Sequence, residues 1–481
     1  AIFGKWHLGD NYPYHPNDRG FDVAVTHGGG GVGQAPDYWN NDYFDDTYFV
    51  NRHPEKFDGY CTDVWFQEAL KFIEANKDNP FFCYISTNAP HGPYIVPQKY
   101  RNIYVGKENI PSADSHGPNF YGMITNIDDN IGLLREKLKE LGMEKEVILV
   151  FSADNGTSAG VELDRKGYKD GNGFNAGMRG KKGSKYEGGH RVPLFVKWDN
   201  ENIGGGKDVD ALVSFTDVMP TLLDLCDVPF PENAAFDGVS LKPLLTGQKW
   251  EHSNRVVITD TQRELNLKKW KDCSIMSGRW RLIDGKELYD IQEDPGQVNN
   301  VAAQHPEVMD SLRNEYEKWW SEVYHEDDEY SGFIAGNVAE NPLQFTSHDW
   351  YSEDLPPWHQ IHVRSGVVKN GFWIVDFEKA GNYEIELRRW PFETDLALSE
   401  TVPGYEMMEG VSSIPKGKNI SFQNARLKIG ENEWETSVNT NDKAITFQVE
   451  VPAGKQKVQT WLTDENEDVR GAYYIGIEYK N

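Results

Sequence analysis

The 481-residue chain carries 76 acidic residues against 49 Lys and Arg, a formal charge of −27 at pH 7. That field argues against nucleic acid or an anionic membrane surface as a general partner, yet it leaves room for an anionic substrate in a locally cationic pocket. Aromatic residues make up 13% of the chain, which excludes a disordered acidic polymer, and no apolar run approaches the length of a membrane span.

By length, about three domains or one large domain with satellites are expected. Four widely spaced cysteines (Cys61, Cys83, Cys226, Cys273) argue against a zinc ribbon or a disulfide-stapled mini-domain. Cys83 and Cys226 lie in apolar strings and are expected to be buried thiols.

Residues 1–4 read as the end of a strand entering a loop, with no signal peptide, as if the chain begins inside a domain. Thr62 or Asp63 is the expected N-cap of a helix over 64–76, with Trp65, Phe66, Ala69, Leu70 and Ile73 on one face. A short apolar strand at 81–86 ends at Asn88-Ala89-Pro90-His91-Gly92. The stripe Tyr121, Ile124, Ile127, Ile131, Leu134, Leu138, Leu141 marks a long amphipathic helix stopped by Gly142. The apolar strand at 147–151 runs into Asp154-Asn155-Gly156, and a further strand at 192–198 precedes a helix near 216–226.

Apolar strands alternating with helices predict an α/β domain whose central mixed sheet is covered on both faces, with ligands beyond the carboxyl ends of the strands. Lys5, His7, His91, Asp154 and Asn155 fall at such ends. Strands near 255–261, 273–284 and 287–289 with a helix over 306–323 predict a small α+β unit, and the acidic stretch 322–329 looks like a boundary. Further on, Trp373, Val375, Phe377 and Tyr383, Ile385, Leu387 alternate around 380–382, read as a hairpin turn in a C-terminal antiparallel β-sandwich. The expected domains are 1–250, 251–325 and 345–481.

Residues 28–33 satisfy GxGxxG, but Gln34-Ala35-Pro36 follows where a dinucleotide fingerprint must open a helix, so a flexible pocket-lining loop is expected instead. Asp154-Asn155-Gly156 reads first, on local evidence, as a turn, and second as two oxygen ligands of a hard cation. The stretch 179–193 is the sharpest feature. It sets Arg179, Lys181, Lys182, Lys185, His190 and Arg191 among four glycines in an acidic chain. Glycines allow close backbone approach and lysines offer point charges, as an oxyanion would need. Tyr38, Trp39, Tyr43 and Phe44 serve equally as sugar-stacking or as structural aromatics.

Gly4-Lys5-Trp6-His7-Leu8-Gly9 resembles the second signature of the formylglycine-dependent type I sulfatases of the alkaline phosphatase superfamily. Asp154-Asn155-Gly156 resembles their metal-binding pair, Ala89-Pro90-His91 their histidine segment, and Lys182-Gly183 with Tyr186-Glu187-Gly188-Gly189 and Arg191 their late lysine motif. Glu287-Leu288-Tyr289-Asp290, Asp294-Pro295 and Asn300-Val301-Ala302 are similar to their small C-terminal subdomain, so the resemblance runs over about residues 1–323.

It implies an alkaline phosphatase-like sheet and hydrolysis of sulfate esters on a sulfated oligo- or polysaccharide, in the periplasm or outside the cell. It further implies Ca2+ ligated by Asp154 and Asn155, sulfate binding by Lys5 and Lys182, leaving-group protonation by His91, and a role for His7 in collapse of the covalent intermediate. Arg165, Lys166 and Lys169, in the segment before the lysine motif, and His190 within it, are candidate contacts for further sulfates or uronates. The chain has no C/S-x-P-x-R motif from which formylglycine is made; Ser413-Ile414-Pro415-Lys416-Gly417 ends in glycine instead. The nucleophile and the family's paired aspartates are expected upstream of residue 1, and the chain is expected to be inactive alone. A phosphodiester or phosphonate hydrolase, or a non-catalytic binder of sulfated glycans, are the alternatives.

Overall fold

The computed structural model describes residues 1–112, 116–201, 203–262, 264–325, 330–408 and 412–480. Strand β1 (Ile2–Gly4) is fully buried and pairs in parallel with β2 (Ala24–Thr26) and β5 (Tyr84–Ser86). Strands β3 (Thr47–Val50) and β4 (His53–Lys56) extend it antiparallel, giving the order β4-β3-β2-β1-β5. Helix α1 (Cys61–Ala75) buries Trp65 and Ala69 in the core that also holds Phe3 and Val25, and Ile73 on the same helix is buried as well. Its N-cap is Tyr60, with no side-chain cap bond, rather than Thr62 or Asp63. The Asp63 carboxylate accepts instead from the Asn126 and Asn130 amides, 2.7 Å each. Those amides belong to α3 (Gly117–Glu140), which follows α2 (Gln98–Tyr104) and ends before Gly142 at φ +73°.

Strand β6 (Leu149–Ser152) pairs antiparallel with β9 (Leu194–Lys197). Between them lie the hairpin of β7 (Val161–Leu163) and β8 (Lys169–Gly173) and the single turn α4 (Glu187–His190). Helices α5 (Val218–Leu225) and α6 (Lys242–Leu245) precede a four-stranded antiparallel sheet of β10 (Val256–Asp260), β11 (Cys273–Ser277), β12 (Trp280–Ile283) and β13 (Glu287–Asp290). Helix α7 (Pro306–Val323) lays Met309, Leu312 and Tyr316 on Ile275, Leu282 and Leu288 of that sheet. Cys226, at the end of α5, is exposed and Cys83 half-buried, against expectation; the buried thiols are Cys61 and Cys273, and all four are free. On α5 the inward position is taken by Leu225, which turns its neighbour outward.

The C-terminal sandwich begins with β14 (Phe333–Ala335) and β15 (Leu343–Thr346), followed by α8 (Gln360–Ser365). Its main strands are β16 (Phe372–Phe377) and β17 (Gly381–Arg388), and a small ribbon pairs β18 (Tyr405–Met408) with β19 (Ser412–Ile414). Then come β20 (Phe422–Ile429), β21 (Asn432–Ser437), β22 (Ile445–Val451), β23 (Gly454–Asp464), β24 (Val469–Arg470) and β25 (Tyr474–Tyr479).

One layer orders β14-β16-β23-β20-β21 and the other β15-β25-β17-β22; apart from the parallel β14–β16 pair, neighbours in both run antiparallel. The hairpin expected at 380–382 does not form, because β16 and β17 enter opposite layers. Trp373, Val375 and Phe377 from one layer and Tyr383, Ile385 and Leu387 from the other are all 0% exposed in one core. Alternation tells which face is inward, and an arch between layers satisfies it as well as a hairpin does.

By contacts the chain forms two compact units, Ala1–Ile103 with Asn119–Leu134 and Glu329–Asn481, and Tyr104–Pro118 with Arg135–Asp328. The sandwich thus shares a unit with the parallel sheet. Part of the acidic boundary stretch, 326–329, lies outside the described residues. No helix among the described residues is long and apolar enough to cross a membrane.

Candidate active site

In the first unit the register sets Gly4 opposite Thr26 on one side and Ser86 on the other, so the chain leaves all three parallel strands at one level. Beyond those ends come Lys5 and His7 from β1, His27 from β2 and His91 from β5. The Lys5 turn is fixed by its own N–H donating to Ser86 O (2.6 Å) and by the Ser86 hydroxyl donating to Lys5 O (2.5 Å). The Trp6 indole N–H donates to Tyr14 O (2.8 Å), and His7 takes a left-handed backbone at φ 58°. His91 Nδ1 lies 2.7 Å from Gly92 O, and its own carbonyl accepts the Tyr43 hydroxyl.

His27 was not singled out by sequence, although a histidine directly after a short apolar strand is the available signal. It is 1% exposed, and its Nδ1 lies 2.9 Å from Gly28 O. Its pKa is pushed down to about 4. Burial is the largest cause, the Gly28 carbonyl pulls the other way, and the nearby basic groups of Lys5, His7 and His91 add to the fall. Those electrostatic contacts place all four basic groups at one edge of the sheet.

The glycine-rich loop is tied down rather than flexible. The Asp37 carboxylate accepts from Gly33 N–H (2.8 Å), Gly28 N–H (3.2 Å) and the Asn41 amide (3.1 Å). Gly29 N–H donates to Asp10 (3.0 Å) and Gly30 N–H to Gln34 Oε1 (2.8 Å). The Gln360 amide of α8 donates to the carbonyls of Gln34, Asp37 and Tyr38. Glycine composition suggests freedom, but each of these N–H groups has found a side-chain acceptor. Asp37→Ala would orphan two buried N–H donors and should cost about 1–3 kcal/mol, read as a lower urea midpoint with an unchanged slope. Trp39 and Tyr43 are also buried, Trp39 against Trp390 at 5.4 Å, so neither presents a face for sugar stacking.

In the second unit the Asp154-Asn155-Gly156 turn meets the lysine motif through the backbone. Gly156 N–H donates to Gly189 O (3.0 Å), and Lys182 N–H to Thr157 O (2.9 Å). A Cβ on Gly156 would lie 1.8 Å from Gly188 O, so glycine is required where the two segments cross. Lys182 is half-buried and Asp154 exposed. The Asn155 Oδ1 is buried without a hydrogen-bond partner, an oxygen suited to a hard cation. Among the described residues no group of three or more His, Cys, Asp or Glu is set to hold a metal. Asp154 and Asn155 by themselves offer two oxygens of the kind a hard cation takes.

Arg165 sits exposed in the β7–β8 turn, and Lys169 is exposed with its ammonium donating to Gly171 O. That turn abuts the lysine motif, because Gly180 N–H donates to Gly167 O and the Arg179 guanidinium to Lys166 O. His190 Nε2 lies 3.4 Å from the Glu187 carboxylate, which Arg281 engages at 2.7 Å. Burial alone would raise Glu187, but His190 and Arg281 reverse this and hold it down at about 2. The Tyr186 and Tyr289 hydroxyls both donate to Glu287, and Arg179 lies over the Tyr186 ring at 3.6 Å. The lysine motif is thereby clamped to β13.

The chain is similar in sequence and structure to several known proteins. The sulfatase family model matches residues 1–228, and that of the N-sulphoglucosamine sulphohydrolase C-terminal region matches 181–322. An N-acetylgalactosamine-6-O-sulfatase of Bacteroides thetaiotaomicron is 29% identical over 52% of this chain and 49% of its own. An ulvan-active sulfatase of Formosa agariphila is 26% identical over 73% of this chain and 65% of its own. The crystal structure of Ps i-CgsB in complex with k-i-k-neocarrahexaose superposes with a TM-score of 0.55 at 27% identity, covering 66% of this chain and 70% of that one. The chain spans between about half and two thirds of the length of these curated relatives. With matches running continuously from residue 1 to 322, this part of the chain is similar to the sulfatases in both sequence and structure.

Proposed function

We propose that this protein hydrolyses sulfate esters on a sulfated carbohydrate, and that Lys5, His7, His91 and Lys182 are the residues of this chain that serve the reaction. The observation that carries the reading is the gathering of Lys5, His7 and His91 around buried His27 at the carboxyl edge of three parallel strands. Lys5 and Lys182 bind sulfate oxygens, whose charge grows as the ester bond breaks. His91, whose Nδ1 lies 2.7 Å from Gly92 O, protonates the leaving alcohol. His7 accepts a proton in the step that frees sulfate.

Asp154 and Asn155 would hold a divalent cation, Ca2+ by the chemistry of their oxygens, and that ion supplies charge neutralisation at the sulfate. Arg165 and Lys169, both exposed, are the proposed contacts to further anionic groups of the glycan; His190, expected to join them, has both ring nitrogens buried beside Glu187. The relatives' carbohydrate substrates support the substrate class. A polymer of that kind is met in the periplasm or outside the cell.

No step is routed through a formylglycine, because the chain holds no C/S-x-P-x-R motif. Sulfate release from sulfated oligosaccharides should accordingly be absent for the 481-residue polypeptide. It should appear when a segment carrying that motif, with formylglycine formed, is fused ahead of residue 1. Turnover by the 481-residue chain at ordinary sulfatase rates contradicts the expectation that the chain lacks its nucleophile, and faster turnover of phosphate than of sulfate esters contradicts the substrate class.

A further inference from the structure

The sandwich sends one side chain to the sheet edge that holds His7. His348 lies in the turn Ser347–Asp349 that follows β15, and its ring centroid stands 6.0 Å from that of His7. Nδ1 faces Asp349 Oδ1 at 3.2 Å, and Nε2 faces Gln34 Oε1 at 3.1 Å. The identity of that Gln34 atom is set by Gly30 N–H, which donates to it at 2.8 Å. Both ring nitrogens thus meet acceptors, and only the doubly protonated imidazolium satisfies both. Gly30 also fixes the other ring, since a Cβ there would lie 2.4 Å from His7 Nε2. One loop therefore sets the positions of both imidazoles.

We propose that His348 is a positioning residue for His7: it stands beside it as a held imidazolium and keeps His7 uncharged near neutral pH. The proposal rests on the reading of His7 as a proton acceptor in sulfate-ester hydrolysis, a task only the neutral ring performs. The charged groups facing His348 are Asp349 on its own turn, Asp10 on the loop after β1, and His7. Burial would lower the His348 pKa, but Asp349 and then Asp10 more than reverse this, so it lies above the ordinary 6.5. A cation held there disfavours a second one on His7. No substrate contact is needed from His348, since both of its nitrogens are already engaged.

The test is a pH titration of the full chain labelled with 13C at histidine Cε1, with resonances assigned from single substitutions. His348→Gln should raise the His7 midpoint by about 0.5–1 unit, the effect of a unit charge 6.0 Å away in a medium between water and protein surface. Coupling is reciprocal, so His7→Gln, at an exposed loop position, should raise the His348 midpoint by the same amount. Asp349→Asn should lower the His348 midpoint. Should His348→Gln not fold, the His7→Gln titration decides. An unmoved partner midpoint in either folded variant overturns the proposal. None of these readings depends on turnover, so an inactive protein leaves the test intact, and a coupled pair in a chain that binds no sulfated sugar would fail only the functional reading.

Discussion

Glu187→Gln should be the most damaging single-atom change in the second unit, lowering stability by about 3–5 kcal/mol. Glu187 is 1% exposed and accepts from Arg281, itself 6% exposed, at 2.7 Å, with Arg191 and His190 at 3.4 Å. The amide would leave the Arg281 charge buried without its counter-ion. Arg281 keeps only carbonyl partners, Gly278 O and Trp280 O at 2.9 Å each.

The pH dependence has a definite sign. Glu187 is depressed to about 2 in the fold against 4.5 when unfolded. Its contribution is therefore fully present above about pH 4.5 and is lost as pH falls through about 2, a span worth about 3 kcal/mol. Urea unfolding between pH 2 and 6 should show a steep acid limb in the unaltered chain and a shallower one in the variant. Equal slopes contradict the assignment.

Gly156→Ala should be comparably severe and should also act on the cation site. The added carbon would meet the Gly188 carbonyl at 1.8 Å, and that atom is backbone, which no rotamer change can move aside. Relief requires the Asp154–Gly156 turn and the lysine motif to part, breaking the bond from Gly156 N–H to Gly189 O. Overpacking of this kind costs about 1–3 kcal/mol or more. Parting the segments also displaces Asn155 Oδ1, so Ca2+-dependent stabilisation, measured as the shift in Tm on adding Ca2+, should vanish. A variant that keeps both Tm and its Ca2+ response contradicts the proposed role of the turn.

Motif residues and strand ends were legible in the sequence because their chemistry is local. Lys5, His7 and His91 follow apolar strands, and the parallel register of β1, β2 and β5 puts them at one edge. His27 escaped because its strand is three residues long, with no pattern to separate it from a loop. Residues 28–33 looked mobile because composition does not reveal acceptors such as Asp10, Gln34 and Asp37. The exchange of β16 and β17 between layers was hidden because alternation is the same in a hairpin and an arch. His348 was beyond reach for a plainer reason: it lies more than 300 positions from His7 and Gln34, and only the fold joins them.

The central claim is that this acidic chain recognises a sulfate group through its own cationic residues. Calorimetry of the 481-residue chain with a sulfated galactan hexasaccharide and its chemically desulfated counterpart, in Ca2+, tests it most directly. Binding should be confined to the sulfated sugar and should weaken by about tenfold or more in Lys182→Ala and in Lys5→Ala, the worth of a charged hydrogen bond. Equal binding of both sugars, or affinity for the sulfated one that neither substitution changes, would contradict it.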